Sequence, residues 1–202
     1  MRLLNFKPLQ SPIQRLEGNN IYLRSPQMDD FSAWSKLRRE SSEFLQPWEP
    51  LWQENGLTKA SFRIRLKQYQ SDIISERSMP FYIFLNSNHT LVGGITLSHI
   101  RRGVSQTCSM GYWMGARHAG KGLMSDAVAA IVPFVFDTLK LNRLEAASIP
   151  DNHRSIALLR RSGFSLEGTV RKYLKINGIW QDHKLFSLLR EDPRPVFVRC
   201  IK

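Results

Sequence analysis

Gly115, Gly120 and Lys121 in the stretch GARHAGKGLM, residues 115–124, have the spacing of the G-x-x-x-x-G-K core of a phosphate-binding loop. Such a loop works because its glycines leave backbone N–H groups open to an anion at the positive end of the following helix. A nucleotide-hydrolysing loop also needs Ser or Thr at the next position to hold magnesium, and this chain has Gly122 there. Residues 123–202 supply one helix pair and a hairpin, too little for the βα units of a P-loop sheet. What survives is an anion site built with or without metal, to which Arg117, His118 and Lys121 bring positive or proton-donating side chains. The same two glycines, Gly120 and Gly122, also serve as a plain tight turn, so a second element must decide.

The surrounding pattern supplies the elements that would hold such a loop. Residues 107–114 read as a strand entering it. A long helix leaves it with Leu123, Ala127, Ala130, Ile131 and Phe134 on one face, and Pro133 must kink or shorten that helix. Upstream, residues 21–24 read as a short strand. Ser25 then caps a helix with Pro26 in its first turn and Asp29 and Asp30 at its positive end. Residues 43–53, with two prolines and two tryptophans, read as a loop, and a second helix starts near Thr58 with Phe62, Leu66, Tyr69 and Ile73 on one stripe. PFYIFL and TLVGGITLSHI read as antiparallel strands about the turn NSNH, Gly93-Gly94 marking a bulge or a close approach. Residues 144–149 form the next strand. Asp151-Asn152 opens a short helix with Ile156 and Leu159 as its apolar positions, and Gly163 ends it. YLKI, Asn177-Gly178 and IWQDHKLFSLL make a hairpin with a type I′ turn.

A chain of 202 residues holds one sizeable α/β domain. With 42% hydrophobic and 23% charged residues it has the balance of a globular protein. No apolar run approaches the roughly 18–20 residues needed to span a bilayer, and the first 18 residues lack the apolar core of a signal peptide. A cytoplasmic location and no membrane partner are expected. Two cysteines, Cys108 and Cys200, indicate neither a disulfide framework nor a Cys-rich metal site, and no His/Cys/Asp/Glu spacing suggests a metal. The net charge of +12, from 29 Lys and Arg against 17 Asp and Glu, favours acidic partners such as a ribosome, nucleic acid or a polyphosphate-bearing ligand. The charges are not gathered into a long basic run, and many would simply solvate the surface.

The second element is PDNHRSIALLRRSGF, residues 150–164. The order strand, phosphate-type turn, long helix, strand, then Asn152-x-x-Ser155 opening a shorter helix that ends in Gly-Phe resembles the GNAT superfamily of N-acetyltransferases. The superfamily signature at the turn, Q/R-x-x-G-x-G/A, falls on Ala119, Gly122 and Met124, so Ala119 and Met124 depart from it. FLQPWEP (44–50), GKGLM, the Asn152-x-x-Ser155 helix, SLEGTVRKYLKINGIWQDH (165–183) and LFSLL are similar to the RimJ-type ribosomal-protein alanine N-acetyltransferases. That resemblance implies an α+β fold, layered α/β/α, with a mostly antiparallel mixed sheet between helices. It implies one domain over residues 21–192, with residues 1–20 as an extension and 193–202 as a tail. The implied chemistry is acetyl transfer from acetyl-CoA, a co-substrate needing no metal, to the N-terminal alanine amine of a ribosomal protein. The implied partners are a ribosomal protein or the ribosome, with rRNA contact through the basic surface, and the chain would be a monomer or a dimer.

Residue by residue, the resemblance assigns the cofactor to Trp113, Met114, Ala119, Gly120, Lys121, Gly122, Leu123, Met124 and Asn152. Trp113 and Met114 would offer backbone to pantetheine, or simply fill the core. Asn152 would hydrogen-bond pantetheine or cap its helix, with Asp151 as an alternative cap. Ser155 would protonate the departing thiolate, or stand as an ordinary first-turn serine. For the base, Glu49 is the candidate, since an apolar Trp/Pro setting raises a carboxyl's pKa. Glu167 is its rival, although Glu167 and Arg171 also read as a structural ion pair, and Asp182 and His183 would line the acceptor cleft. Two other functions fit the same features: a GNAT enzyme acting on an antibiotic, polyamine or other small amine, and a non-catalytic ribosome- or RNA-binding module.

Overall fold

Met79–Leu85, MPFYIFL, is buried at every position but its last, the behaviour of a strand covered on both faces. In the computed structural model, which describes residues 15–194, it lies inside a single eight-stranded sheet. The strands are β1 (Leu16–Glu17), β2 (Ile21–Arg24), β3 (Met79–Leu85), β4 (Leu91–Arg101), β5 (Thr107–Met114), β6 (Arg143–Ser148), β7 (Ser165–Ile176) and β8 (Ile179–Leu189). Their spatial order is β1-β2-β3-β4-β5-β6-β8-β7. Every pairing is antiparallel except β5 with β6. The expected mixed, mostly antiparallel sheet is what forms.

Helices cover both faces. On one, α1 (Phe31–Glu40) and α3 (Lys59–Ile74) bring Trp34, Leu37 and Phe62 against Tyr22, Tyr82 and Phe84. On the other, α4 (Leu123–Pro133) and α5 (His153–Arg161) bury Ala127, Val128, Ile131, Ile156 and Leu159 against β3, β4 and β6. Thr58 caps α3, its hydroxyl accepting the Ser61 N–H at 3.3 Å. Asn177 (φ 44°) and Gly178 (φ 82°) both take positive φ between β7 and β8, as a type I′ turn requires. Among the described residues no helix is long and apolar enough to cross a membrane.

Several local expectations are corrected. No helix starts at Ser25. A single 3₁₀ turn at Met28–Asp30 precedes α1, because the Asp30 carboxylate turns back to accept the Gln27 N–H at 2.7 Å and to pair with Arg24 at 2.6 Å. The 43–53 stretch is partly helical: α2 (Ser42–Leu45) and a 3₁₀ turn at Gln46–Trp48 carry Pro47 near its start, where a missing N–H costs nothing. Pro133 ends regular α-helix, and the chain widens into a π-turn at Phe134–Thr138, the Leu139 N–H reaching the Phe134 carbonyl at 2.9 Å. Strand pairing also reaches back before residue 21. β1 pairs with β2, and the turn between them is held when the Asn19 and Asn20 N–H groups donate to the two oxygens of buried Asp126, each at 2.7 Å. Of the expected tail, Arg194 pairs with Asp137 at 3.1 Å, and residues 195–202, like 1–14, lie outside the described residues.

Candidate active site

β5 and β6 run together only briefly. Thr107, Cys108 and Ser109 pair with Arg143, Leu144 and Glu145, after which β6 continues against β8 alone while β5 continues against β4 as far as Met114. Among the described residues, the β6-facing backbone edge of residues 110–114 therefore has no strand partner. Such an edge takes an extended ligand that carries amides. Gly93 and Gly94 make the close approach here. A Cβ on Gly93 would lie 2.5 Å from the Trp113 carbonyl oxygen, and one on Gly94 would lie 2.6 Å from Trp113 Nε1. Alternation sends the neighbouring side chains to opposite faces, Met114 into the α4–α5 core and Trp113 into the α1–α3 layer.

The glycine loop closes one end of this opening. Gly120 (φ 77°) and Gly122 (φ 76°) are left-handed, and nothing lies within 4 Å of where a Cβ would stand on either. Gly122 is the N-cap of α4, with no side chain to satisfy the first-turn N–H groups. Lys121 is exposed beside it, and Ala119, Leu123 and Met124 pack partly against the core beneath. His118 adds no charge: burial, then Arg117 and Lys121, lower its pKa, and its Nε2 accepts from Arg117 Nε at 3.0 Å.

Across the opening, Asn152 is itself the cap of α5, its Oδ1 accepting the Ser155 N–H at 3.1 Å, so Asp151 is not needed. This fixes Ser155, whose Oγ lies 2.8 Å from the hydroxyl of Tyr112 on β5. Burial pushes the Tyr112 phenol up to about 12, against a smaller opposing effect of the Ser155 hydrogen bond. It stays protonated throughout the neutral range. A tyrosine hydroxyl that donates to Ser155 leaves the serine proton free for an atom in the opening.

The opposite face of the sheet carries a cleft of about 200 Å³ lined by Trp34, Arg38, Glu49, Arg65, Tyr82 and Trp113, among others. Glu49 is not in an apolar setting. Its carboxylate accepts two bonds from Arg38, one at 2.7 Å, and one from Trp52 Nε1 at 2.8 Å. The Arg38 guanidinium is stacked between the Trp52 and Trp113 rings, 4.2 and 4.9 Å from their centroids. Only 12% of the Arg38 side chain and 19% of the Glu49 side chain are exposed, so the pair is largely dry.

The remaining candidates are used elsewhere. Glu167 pairs with Arg143 rather than Arg171 and also accepts from Ser187 at 2.6 Å. Those bonds hold its carboxyl down to about 2, which makes it a poor proton acceptor near neutrality. Asp182 accepts the Lys172 N–H at 2.8 Å within the β7–β8 hairpin, and buried His183 has its Nδ1 3.0 Å from the Gln181 carbonyl. Neither lines the cleft. A larger cavity of about 260 Å³, between the β1–β2 turn, α4 and Arg194, contains none of the residues of the opening. Sequence reasoning missed Tyr112, Arg38 and Tyr82. The alternation Met110, Tyr112, Met114 on one face of β5 was the available signal for the first.

The sheet thus opens beside a glycine-capped helix, with a hydroxyl pair on one face and a cleft of about 200 Å³ on the other. The family model described as "Acetyltransferase (GNAT) domain" matches residues 20–165, and the chain belongs to that family. It is 35% identical to the Probable N-acetyltransferase YjcK of Bacillus subtilis (strain 168), over 88% of this chain and 98% of that protein. It is 32% identical to the [Ribosomal protein uS5]-alanine N-acetyltransferase of Escherichia coli (strain K12), over 91% of this chain and 95% of that one. The fold superposes on Mycobacterium smegmatis RimJ in complex with CoA-disulfide with a TM-score of 0.81 and 29% identity, covering 87% and 86% of the two chains.

Proposed function

We propose that the chain transfers the acetyl group of acetyl-CoA to the N-terminal α-amine, alanine first, of a ribosomal protein in the cytoplasm. The observation that carries the reading is the unpaired 110–114 edge of β5, flanked by the Gly120–Gly122 loop and the Tyr112–Ser155 pair. The first-turn N–H groups of α4 and Lys121 suit the CoA phosphates without metal. The open edge of β5 and the Asn152 amide suit the pantetheine amides. The amine attacks the acetyl carbonyl, the C–S bond breaks, and Ser155, backed by Tyr112, gives its proton to sulfur and is reprotonated from water, which has taken up the proton that the amine releases.

The cleft favours such an acceptor. Two arginines, Arg38 and Arg65, face one carboxylate, Glu49, which disfavours a polycationic antibiotic or polyamine. The E. coli relative that acts on uS5 alanine and the net charge of +12 support a ribosomal protein as the acceptor. An α-amine titrates near 7.7–8, so a useful fraction is neutral without a strong base.

Glu49 holds Arg38 in place and faces the incoming ammonium, with water carrying the proton away. In an assay with an Ala-initiated peptide, kcat/KM is expected to rise with pH through about 8 and then stay level, because Tyr112 does not ionise below about 12. Glu49→Gln should keep that limb and cost up to about tenfold, mostly in acceptor KM. Loss of the limb together with a fall in kcat of about a hundredfold or more would make Glu49 the base after all.

A further inference from the structure

Four buried side-chain polar atoms among the described residues have no hydrogen-bond partner, and two of them, Arg38 Nε and the Tyr82 hydroxyl, belong to residues lining the acceptor cleft. An unpaired buried donor is costly, and two beside one cavity indicate that a ligand supplies the missing acceptor. Tyr82, on β3, lines the cleft and is only 4% exposed. Burial raises its pKa far above the usual phenol value, so it is a neutral O–H donor. Arg38 gives one bond from each terminal nitrogen to Glu49, which cancels most of its charge, while Nε is the guanidinium nitrogen left with no partner at all.

We propose that Arg38 Nε–H and the Tyr82 hydroxyl form a subsite for the first carbonyl oxygen of the acceptor, making the enzyme selective for an α-amino-acyl unit. The inference rests on the N-terminal acceptor proposed above and names the groups that recognise it. Two donors with little net charge match a neutral carbonyl oxygen better than a carboxylate, whose desolvation they would not repay. Glu49, bonded to the same arginine, offers a remaining carboxylate lone pair to an N–H of the amine. Amine and carbonyl oxygen, separated by two carbons (Cα and the carbonyl carbon), are thus read by groups that line one cleft. The ε-amine of lysine and the amines of a polyamine have no carbonyl at that position and leave both donors unpaired.

Tyr82→Phe is the test, because it removes only an unpartnered hydroxyl. A hydroxyl used by the fold would cost stability when deleted, whereas this one should leave the melting temperature unchanged or raised. Steady-state kinetics compare an Ala-initiated peptide with the matched amine in which the first carbonyl is replaced by methylene. The wild-type enzyme is expected to prefer the peptide, and the variant to lose roughly tenfold to a hundredfold of that preference, mainly through acceptor KM. An unchanged preference, or a destabilised variant, overturns the subsite. If the wild-type enzyme acetylates the carbonyl-free amine as well as the peptide, the subsite falls while N-terminal acetylation stands. If it acetylates no peptide N-terminus, the proposed function falls first and the subsite with it.

Discussion

Replacing Gly122 with valine is expected to lower affinity for acetyl-CoA by at least about a hundredfold while leaving the fold intact. Gly122 sits at φ 76°, and no protein atom lies within 4 Å of the position a Cβ would take there, so the new side chain meets nothing inside the protein. It would instead stand in front of the first-turn N–H groups of α4. Two charge-assisted bonds to phosphate, at about 1.5–3 kcal/mol each, account for the loss. A β-branched residue in the left-handed region adds a strain of about 1–2 kcal/mol, or a fall in melting temperature of roughly 2–8 °C in a protein of this size. Titration calorimetry with and without chelator checks both points. Chelator should leave the wild-type affinity unchanged, and retained binding in the variant would place the phosphates elsewhere.

Ser155→Ala should lower kcat by about 10–100-fold with little change in KM for acetyl-CoA. The hydroxyl acts on sulfur only as the C–S bond breaks, so its deletion removes an interaction made in the transition state. The effect stays at the lower end of general acid catalysis because a thiol of pKa about 8.5 is already a fair leaving group. Tyr112→Phe should fall between wild type and Ser155→Ala, since Ser155 keeps its own proton but loses the hydroxyl 2.8 Å behind it. A raised KM with unchanged kcat in either variant would make the pair part of the binding wall.

What is legible in the sequence depends on range. The Gly120–Gly122 turn, the Asn177-Gly178 hairpin and the Asn152 cap are local backbone requirements, and a few adjacent residues state them. The Tyr112–Ser155 pair joins positions 43 apart across two strands and a helix, so no spacing announces it. Glu49 is instructive. FLQPWEP looks apolar, but the fold brings Arg38 from α1 against it and turns a candidate base into half of an ion pair. Glu167 is likewise paired with Arg143, 24 residues upstream, because β8 pairs with both β6 and β7 and the arginine is long enough to reach across it. Asp30 shows the reverse error, a helix-dipole acid by sequence that the structure commits to Arg24 and its own turn.

The most direct measurement offers the purified protein labelled acetyl-CoA and the ribosomal proteins of a cell extract, followed by mass-spectrometric location of the label. Acetyl transfer to an N-terminal α-amine predicts label on the first residue of one or a few ribosomal proteins, alanine foremost, and none on lysine side chains. Label confined to internal lysines, or transferred efficiently to an aminoglycoside or polyamine with every protein N-terminus left free, would contradict the account.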